Sequence, residues 1–280
     1  MKKISAMLLA LMLVLTCFAA CGSAPAADEA GDPTDAVTDD SQTADGGSDL
    51  AFVQSNGKLV VGITDYAPMD YKDENGEWTG FDAEFARLFA EELGVECEFF
   101  VLADWGKKIF ELDSKNIDCV WNGMTITEEI LLTSSVSNPY VINAQVVVMK
   151  ADVVGNYDDV ESMKDLTFAV ESGSAGEACL NDAGLTKYVA VQDQGAAVME
   201  VAAGTSDACV IDITMANAMT GEGTSYENLT YSMSLTEEEY GVSFRKDSDL
   251  TEKFNEFMAS LKADGTLQEL AAKYELTLAD

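Results

Sequence analysis

The 280-residue sequence predicts an α/β fold of two successive units, each a largely parallel sheet with helical crossovers. Three observations carry this expectation. Apolar runs of strand length alternate with amphipathic helical stretches from Lys58 to about residue 122, the rhythm of a parallel sheet. The rhythm restarts near residue 143 and continues to about 239. The strand exits ITDY, VWNG and VIDI each pass from buried apolar residues into polar ones, and parallel sheets hold ligands beyond the carboxyl ends of their strands.

Taken in order, LVVGIT reads as a buried strand, DYAPMDY as a turn and ENGEWTG as a hairpin or loop around Asn-Gly. In FDAEFARLFAEELG, Phe81, Phe85, Leu88, Phe89 and Leu93 recur at helical spacing, and Gly94 supplies the stop. VECEFFVL is a strand, KKIFELDSKN a short helix and IDCVWN a strand. In the second unit NAQVVVMK, TFAVES, KYVAVQ and DACVID are strands, with helices at VESMKDL, GSAGEACLNDAG and GAAVMEVAAG between them. YGVSFRK reads as a last strand, and two amphipathic helices split by Asp-Gly follow it.

Composition removes several function classes. Fifty acidic residues against 16 basic ones give a formal charge of −34, which opposes binding to nucleic acid or anionic lipid and permits cationic small ligands. There is no histidine, so the commonest general base and metal ligand are missing. The only arginines are Arg87 and Arg245, too few for forked recognition of phosphate. No cysteine pair has metal-binding spacing, and no metal or cofactor is expected. Acidic clusters such as Asp73 and Glu74, or Glu237, Glu238 and Glu239, read as solvated surface.

The amino terminus, MKKISAMLLALMLVLTCFAACGS, has two lysines, a short apolar run and small residues before Cys21, the pattern of a signal peptide over 1–20. FAAC resembles a bacterial lipobox, with Phe18 where leucine is more usual, which implies diacylation of Cys21. The alternative is ordinary cleavage near Ala20. Residues 21–50 follow as an acidic tether: from 22 onward they hold eight acidic residues, no basic ones and almost nothing to bury. A coil of that length spans about 30 Å end to end. Of the remaining cysteines, Cys119 and Cys209 sit in apolar runs and read as core thiols, and Cys97 and Cys179 are expected to be free as well.

The segments LVVGITDYAPMDYKDENGEWTGFDAEFARLFAEELG, IDCVWNGMTIT, SNPYVINAQVVVMK, DLTFAVESGSAGE, DACVID and YGVSFRK with DGTLQELAAKY, in that order, resemble the family 3 solute-binding proteins of amino-acid ABC transporters. The resemblance covers about residues 56 to 275. It implies a type II periplasmic binding protein fold, two α/β lobes joined by a two-strand hinge, with lobe 1 at 51–142 and 240–280 and lobe 2 at 143–239. It also implies a substrate-binding subunit that closes on a small amino acid or amine-bearing solute outside the cytoplasm, docks on permease subunits and is not an enzyme. A sensory surface lipoprotein and a cyclohexadienyl-dehydratase-like enzyme are the alternatives.

The resemblance also carries site residues. Asp212, at the end of a lobe 2 strand, matches the aspartate that holds the ligand's amino group; the alternative is a cap on the helix at ITMANAM. Ser172, Gly173, Ser174 and Gly176 match the loop whose backbone N–H groups receive the ligand carboxylate; the alternative is an ordinary helix start. Tyr66 and Trp105 match aromatic residues flanking the ligand, and Asn122, Gly123 and Thr125 match a polar wall. Trp121 alternates away from Asn122 and reads as core, with ligand contact the alternative, and Met69 reads as core.

The departure is Ile130. The family pattern TITxER supplies an arginine that grips the carboxylate, and this chain has TITEEI. Burying a carboxylate without its cation costs about 3–5 kcal/mol. Three compensations remain open: Lys107 or Lys108 reaches the carboxylate, the helix start near 172–177 suffices, or the ligand has no free carboxylate.

Overall fold

The structure is a computed structural model and describes residues 47–280. The expected signal peptide, Cys21 and most of the acidic tether lie outside the described residues. The tether expectation is corrected at its end. Ser48 caps a helix, α1 (Asp49–Asn56), by accepting from Ala51 N, and Leu50 N donates to Asp249 Oδ1 at 2.9 Å. A composition-based boundary at residue 50 could not register the bond to Asp249, because that acceptor lies 199 residues away.

The first sheet takes β1 (Lys58–Ile63), β4 (Glu96–Val101), β5 (Cys119–Val120), β6 (Ser135–Val136) and β14 (Ser243–Phe244), in the order β4-β1-β5-β14-β6. β1 runs parallel to β4 and β5, and β14 is antiparallel to β5 and β6. The small hairpin β2 (Tyr71–Lys72) and β3 (Trp78–Thr79) leads into α2 (Phe81–Leu93). α2 buries Phe81, Phe85 and Phe89 on one stripe and ends at Gly94, whose φ of 72° accommodates the left-handed cap. Phe85 and Phe89 pack with Trp121 and Phe254, so Trp121 is core as expected, and Met69 is fully buried too. α3 (Lys108–Asp113), α4 (Glu128–Thr133), α8 (Leu250–Asp264) and α9 (Thr266–Lys273) complete this lobe, the last two separated by Gly265 at φ 91°.

The second sheet has the order β10-β9-β11-β8-β12, from β8 (Gln145–Lys150), β9 (Phe168–Glu171), β10 (Tyr188–Val191), β11 (Ala208–Asp212) and β12 (Leu229–Ser234). β9 is parallel to β10 and β11, while β8 is antiparallel to β11 and β12. α5 (Ala175–Asp182), α6 (Gln194–Ala203) and α7 (Ile213–Met219) connect the strands. The expected helix at VESMKDL is a single 3-10 turn, Glu161–Met163. Cys119 and Cys209 are fully buried and, with Cys97 and Cys179, unpaired.

Two strands join the lobes. β7 (Val141–Asn143) and β13 (Glu238–Tyr240) pair antiparallel, with Asn143 opposite Glu238 and Val141 opposite Tyr240. The single last strand read from YGVSFRK is therefore two strands, one in the hinge and one in the first sheet. Gly241 makes the passage between them: a Cβ there would lie 2.7 Å from Val136 Cγ1. Among the described residues no helix is long and apolar enough to cross a membrane.

Candidate functional site

The carboxyl ends of β1, β5, β9 and β11 converge on a cleft between the lobes, a cavity of about 580 Å³. Tyr66, Trp105, Lys108, Gly123, Thr125 and Ile130 line it from lobe 1, and Glu171, Gly173, Ser174, Gln194 and Asp212 from lobe 2. Gly106 and Gly173 meet across the cleft: a Cβ on Gly173 would stand 2.7 Å from Gly106 Cα. With Gly173 at φ 71°, glycine is needed there both for backbone conformation and for lobe contact.

Asp212 ends β11 and holds the N-cap position of α7, yet its side chain makes no capping bond. Its carboxylate accepts from three neutral amides instead: Asn143 Nδ2 and Gln145 Nε2 each at 2.5 Å, and Gln194 Nε2. Asn143 and Gln145 also donate to Glu238 Oε1, at 2.6 and 2.8 Å, as does Thr125 Oγ1 at 2.8 Å. Two carboxylates thus share amide donors with no cation between them. Burial, and next the charge of Glu238, push Asp212 up to about 7. Glu238 is accordingly part of the hinge network, which corrects the expectation that it is solvated surface. The hinge folds its side chain inward toward Thr125, a contact that local sequence does not encode.

Glu171 ends β9, is 4% exposed and lines the same cavity. Its Oε1 has no hydrogen-bond partner. Burial first, then the charges of Asp212 and Asp193, raise it to about 8, while Lys108 opposes the shift.

The loop after β9 is a capped helix start. Glu177 N donates to Ser174 Oγ at 3.2 Å, and Glu177 Oε2 accepts from Gly173 N at 2.7 Å. Ser174 N donates to Glu171 O, and Ser172 N to Val191 O. The N–H groups of Ser172, Gly173 and Ser174 are thus already bonded within lobe 2. Ser172 and Gly176 do not line the cavity; Gly176 packs beneath Gln145 and Val170, where a Cβ would lie 2.9 Å from Gln145 Oε1.

On the lobe 1 side, the Asn122 side chain is internally engaged. It accepts from Thr64 N and Thr64 Oγ1 and donates to Thr64 O and to Asp70 Oδ2 at 2.7 Å. It shapes the wall and offers the cleft no spare donor. Gly123 sits at φ 54° under the Tyr66 ring, where a Cβ would be 2.5 Å from Tyr66 Cε1, and its N–H donates to buried Asp82 at 2.6 Å. The Tyr66 hydroxyl bonds Thr214 Oγ1 and the Tyr240 hydroxyl, each at 2.5 Å, tying lobe 1 to lobe 2 and the hinge.

Ile130 packs with Leu102, Trp105, Leu112, Val120 and Met124 and presents an apolar edge to the cavity. Arg245 is buried against Asp49 and Asp118, and Arg87 donates to Trp78 O, so neither reaches the cleft. Lys107 pairs with Asp104 at the surface. Lys108 does line the cleft. It is 9% exposed, lies 4.7 Å from the Trp105 ring centroid, and its Nζ donates to Trp105 O at 3.4 Å and to Gly173 O at 3.3 Å. Burial lowers it to about 8.

Residues 59–277 match the family model described as bacterial extracellular solute-binding proteins, family 3. The chain belongs to this family. It is 30% identical to the L-cystine-binding protein TcyJ of Escherichia coli (strain K12) over 229 residues, 80% of this chain and 85% of that protein. It is also 30% identical to the arginine-binding extracellular protein ArtP of Bacillus subtilis (strain 168) over 240 residues, 83% and 91% of the two chains. The P235GK mutant of ArgBP from T. maritima superposes with a TM-score of 0.75 at 32% identity, covering 81% of this chain and 98% of that one. These named relatives are binding proteins, and the fold is the type II periplasmic binding protein fold.

Within this family 3 chain, Gln145, Gln194, Asn143 and Glu171 are cleft or hinge residues that sequence reasoning did not single out, and Glu238 is one that it read as surface. Glu171 has a signal in the sequence: it is a charge at the exit of the apolar run TFAV, the same design as ITDY, VWNG and VIDI. The amides have none, because their role depends on which strands become neighbours.

Proposed function

We propose that this chain is the extracytoplasmic substrate-binding subunit of an ABC importer, capturing a small amino acid or amine-bearing solute by closure of its lobes. The observation that carries the reading is Asp212, a carboxylate 3% exposed in a cleft between two lobes, solvated only by neutral amides. A solute ammonium supplies the missing charge, and such a bond is worth about 1.5–3 kcal/mol. Trp105 and Tyr66 add aromatic walls suited to a cation. Closure follows because the solute touches both lobes only in the closed state.

Ile130 takes the place of the family's carboxylate-gripping arginine, so a free α-carboxylate is not the main anchor. The sequence of residues 1–21 supports export and attachment to the membrane through lipid on Cys21. Permease subunits are the protein partners this reading requires.

A calorimetric screen of amino acids, dipeptides and amines tests the reading, with small-angle scattering to register closure. Binding that compacts the protein and is lost in Asp212→Asn is the expected result. A protein that binds no amine-bearing solute, or binds one unchanged in Asp212→Asn, sinks the proposal. Labelling by palmitate that disappears in Cys21→Ser checks the anchor.

A further inference from the structure

The geometry points to Glu171 as a second ligand-binding carboxylate, so that the cleft takes a solute with two cationic nitrogens, an ammonium at Asp212 and an ammonium or guanidinium at Glu171, and requires no carboxylate. This deepens the solute-binding reading and rests on it.

The charge of the cleft argues for it from both directions. Cation receptors are in excess: Asp212 meets only neutral amides, and Glu171, 4% exposed, has an oxygen with no partner at all. A buried carboxylate in that condition is costly, and this one lines the cavity, where a bound cation would offset the cost. The anion receptors of the family pattern are absent or engaged, which leaves the N–H groups of Ala175 and Gly176 and one proton of Lys108. Ile130 is apolar and packed, the Gly173 N–H is held by Glu177, and Lys108 is drawn onto the carbonyls of Trp105 and Gly173. Glu128, Glu129 and Glu177 add further negative charge to the lining, against Lys108 as its basic side chain among the described residues.

Glu171 and Asp212 end neighbouring parallel strands, in a register that sets Val170 beside Val210. They therefore open on one edge of one sheet and line one cavity, where a single small solute can meet both. Ile130 and Trp105 supply the apolar and aromatic surface that an aliphatic linker between two cations would cover.

The test compares solutes that differ only by the carboxylate: agmatine against arginine and cadaverine against lysine, with glutamine as a singly ammonium-bearing control. Each is titrated by calorimetry into the purified protein, Glu171→Gln and Asp212→Asn. Melting curves of the unliganded variants check that they fold. The expected result is that agmatine or cadaverine binds at least as tightly as its amino-acid counterpart, and that Glu171→Gln weakens it about tenfold or more. Tighter binding of arginine or lysine than of the decarboxylated partner overturns the inference. So does a smaller loss in Glu171→Gln, or binding of glutamine alone. Glutamine binding that vanishes in Asp212→Asn would leave the solute-binding reading standing while removing this one. Failure of every solute to bind removes both. Should Glu171→Gln melt abnormally, Glu171→Asp replaces it, with the same tenfold criterion for the shortened side chain.

Discussion

In lobe 1 the Arg245 guanidinium is buried between Asp49 and Asp118 and also donates to the carbonyls of Leu112 and Ile117. In lobe 2 Asp212 and Glu171 are buried just as deeply, yet no cation of the chain bonds to either among the described residues. The physics of burial is the same in both places: a charge taken from water must be paired or it destabilises the fold. Lobe 1 completes the pairing within the chain, joining α1, β14 and the approach to β5. Lobe 2 holds no such cation against Asp212 or Glu171 among the described residues, and the proposed solute would supply it. A saturated charge cluster supports the architecture, and the unsaturated one at the strand ends is what the proposed binding site rests on.

The comparison breaks most visibly at Arg245. Arg245→Met strands Asp49 and Asp118 and is expected to cost about 3–5 kcal/mol in urea unfolding, because uncompensated buried charges remain. Solute binding by the folded fraction should be unaffected, since Arg245 does not reach the cleft.

Asp212→Asn is the mirror experiment. Stability is expected to hold or rise, since a buried unpaired charge is removed, while affinity for an ammonium-bearing solute falls by about 1.5–3 kcal/mol, roughly ten- to 150-fold, measured by calorimetry. A loss of stability comparable to that in Arg245→Met would erase the distinction between the lobes.

Gly123→Ala probes the wall where Tyr66 leans on the backbone. The added methyl meets Tyr66 Cε1 at 2.5 Å on a backbone at φ 54°, so a destabilisation of about 1–3 kcal/mol and weaker solute binding are expected together.

Proton linkage sharpens the contrast. Asp212 and Glu171 are raised to about 7 and about 8, so between their unfolded values near 4 and these folded values the native state holds protons that the unfolded chain releases. Stability of the unliganded protein should therefore fall as pH rises through this window, and the slope should shrink in Asp212→Asn and Glu171→Gln. Affinity for a cationic solute should change oppositely, rising with pH as both carboxyls ionise. A flat stability profile would show that neither group is desolvated as described. The smallest effect belongs to the exposed pair Lys58–Glu98, where Lys58→Ala should change unfolding free energy by less than about 1 kcal/mol.

Much of this architecture is legible in the sequence. The stripe of α2, its stop at Gly94, the split at Gly265 and the restart of the strand-helix rhythm are local properties, fixed by side-chain period and by glycine's access to positive φ. The strand exits placed Tyr66, Gly123 and Asp212 at the cleft for the same reason, since a parallel sheet aligns its carboxyl ends. Asn122 shows the limit: its position was readable, but its amide is consumed by Thr64 and Asp70, which only long-range packing reveals.

Composition and strand order point to an acidic, histidine-free chain of two α/β units, and the family 3 resemblance adds solute binding with Ile130 where that family has an arginine. Tertiary structure alone decided which charges are paired. Arg245 finds Asp49 across 196 residues, Glu177 takes the Gly173 N–H, Glu238 turns inward to share amides with Asp212, and Glu171 is left without a partner. Period and propensity act over a few residues, whereas the compensation of a buried charge depends on every element that reaches it.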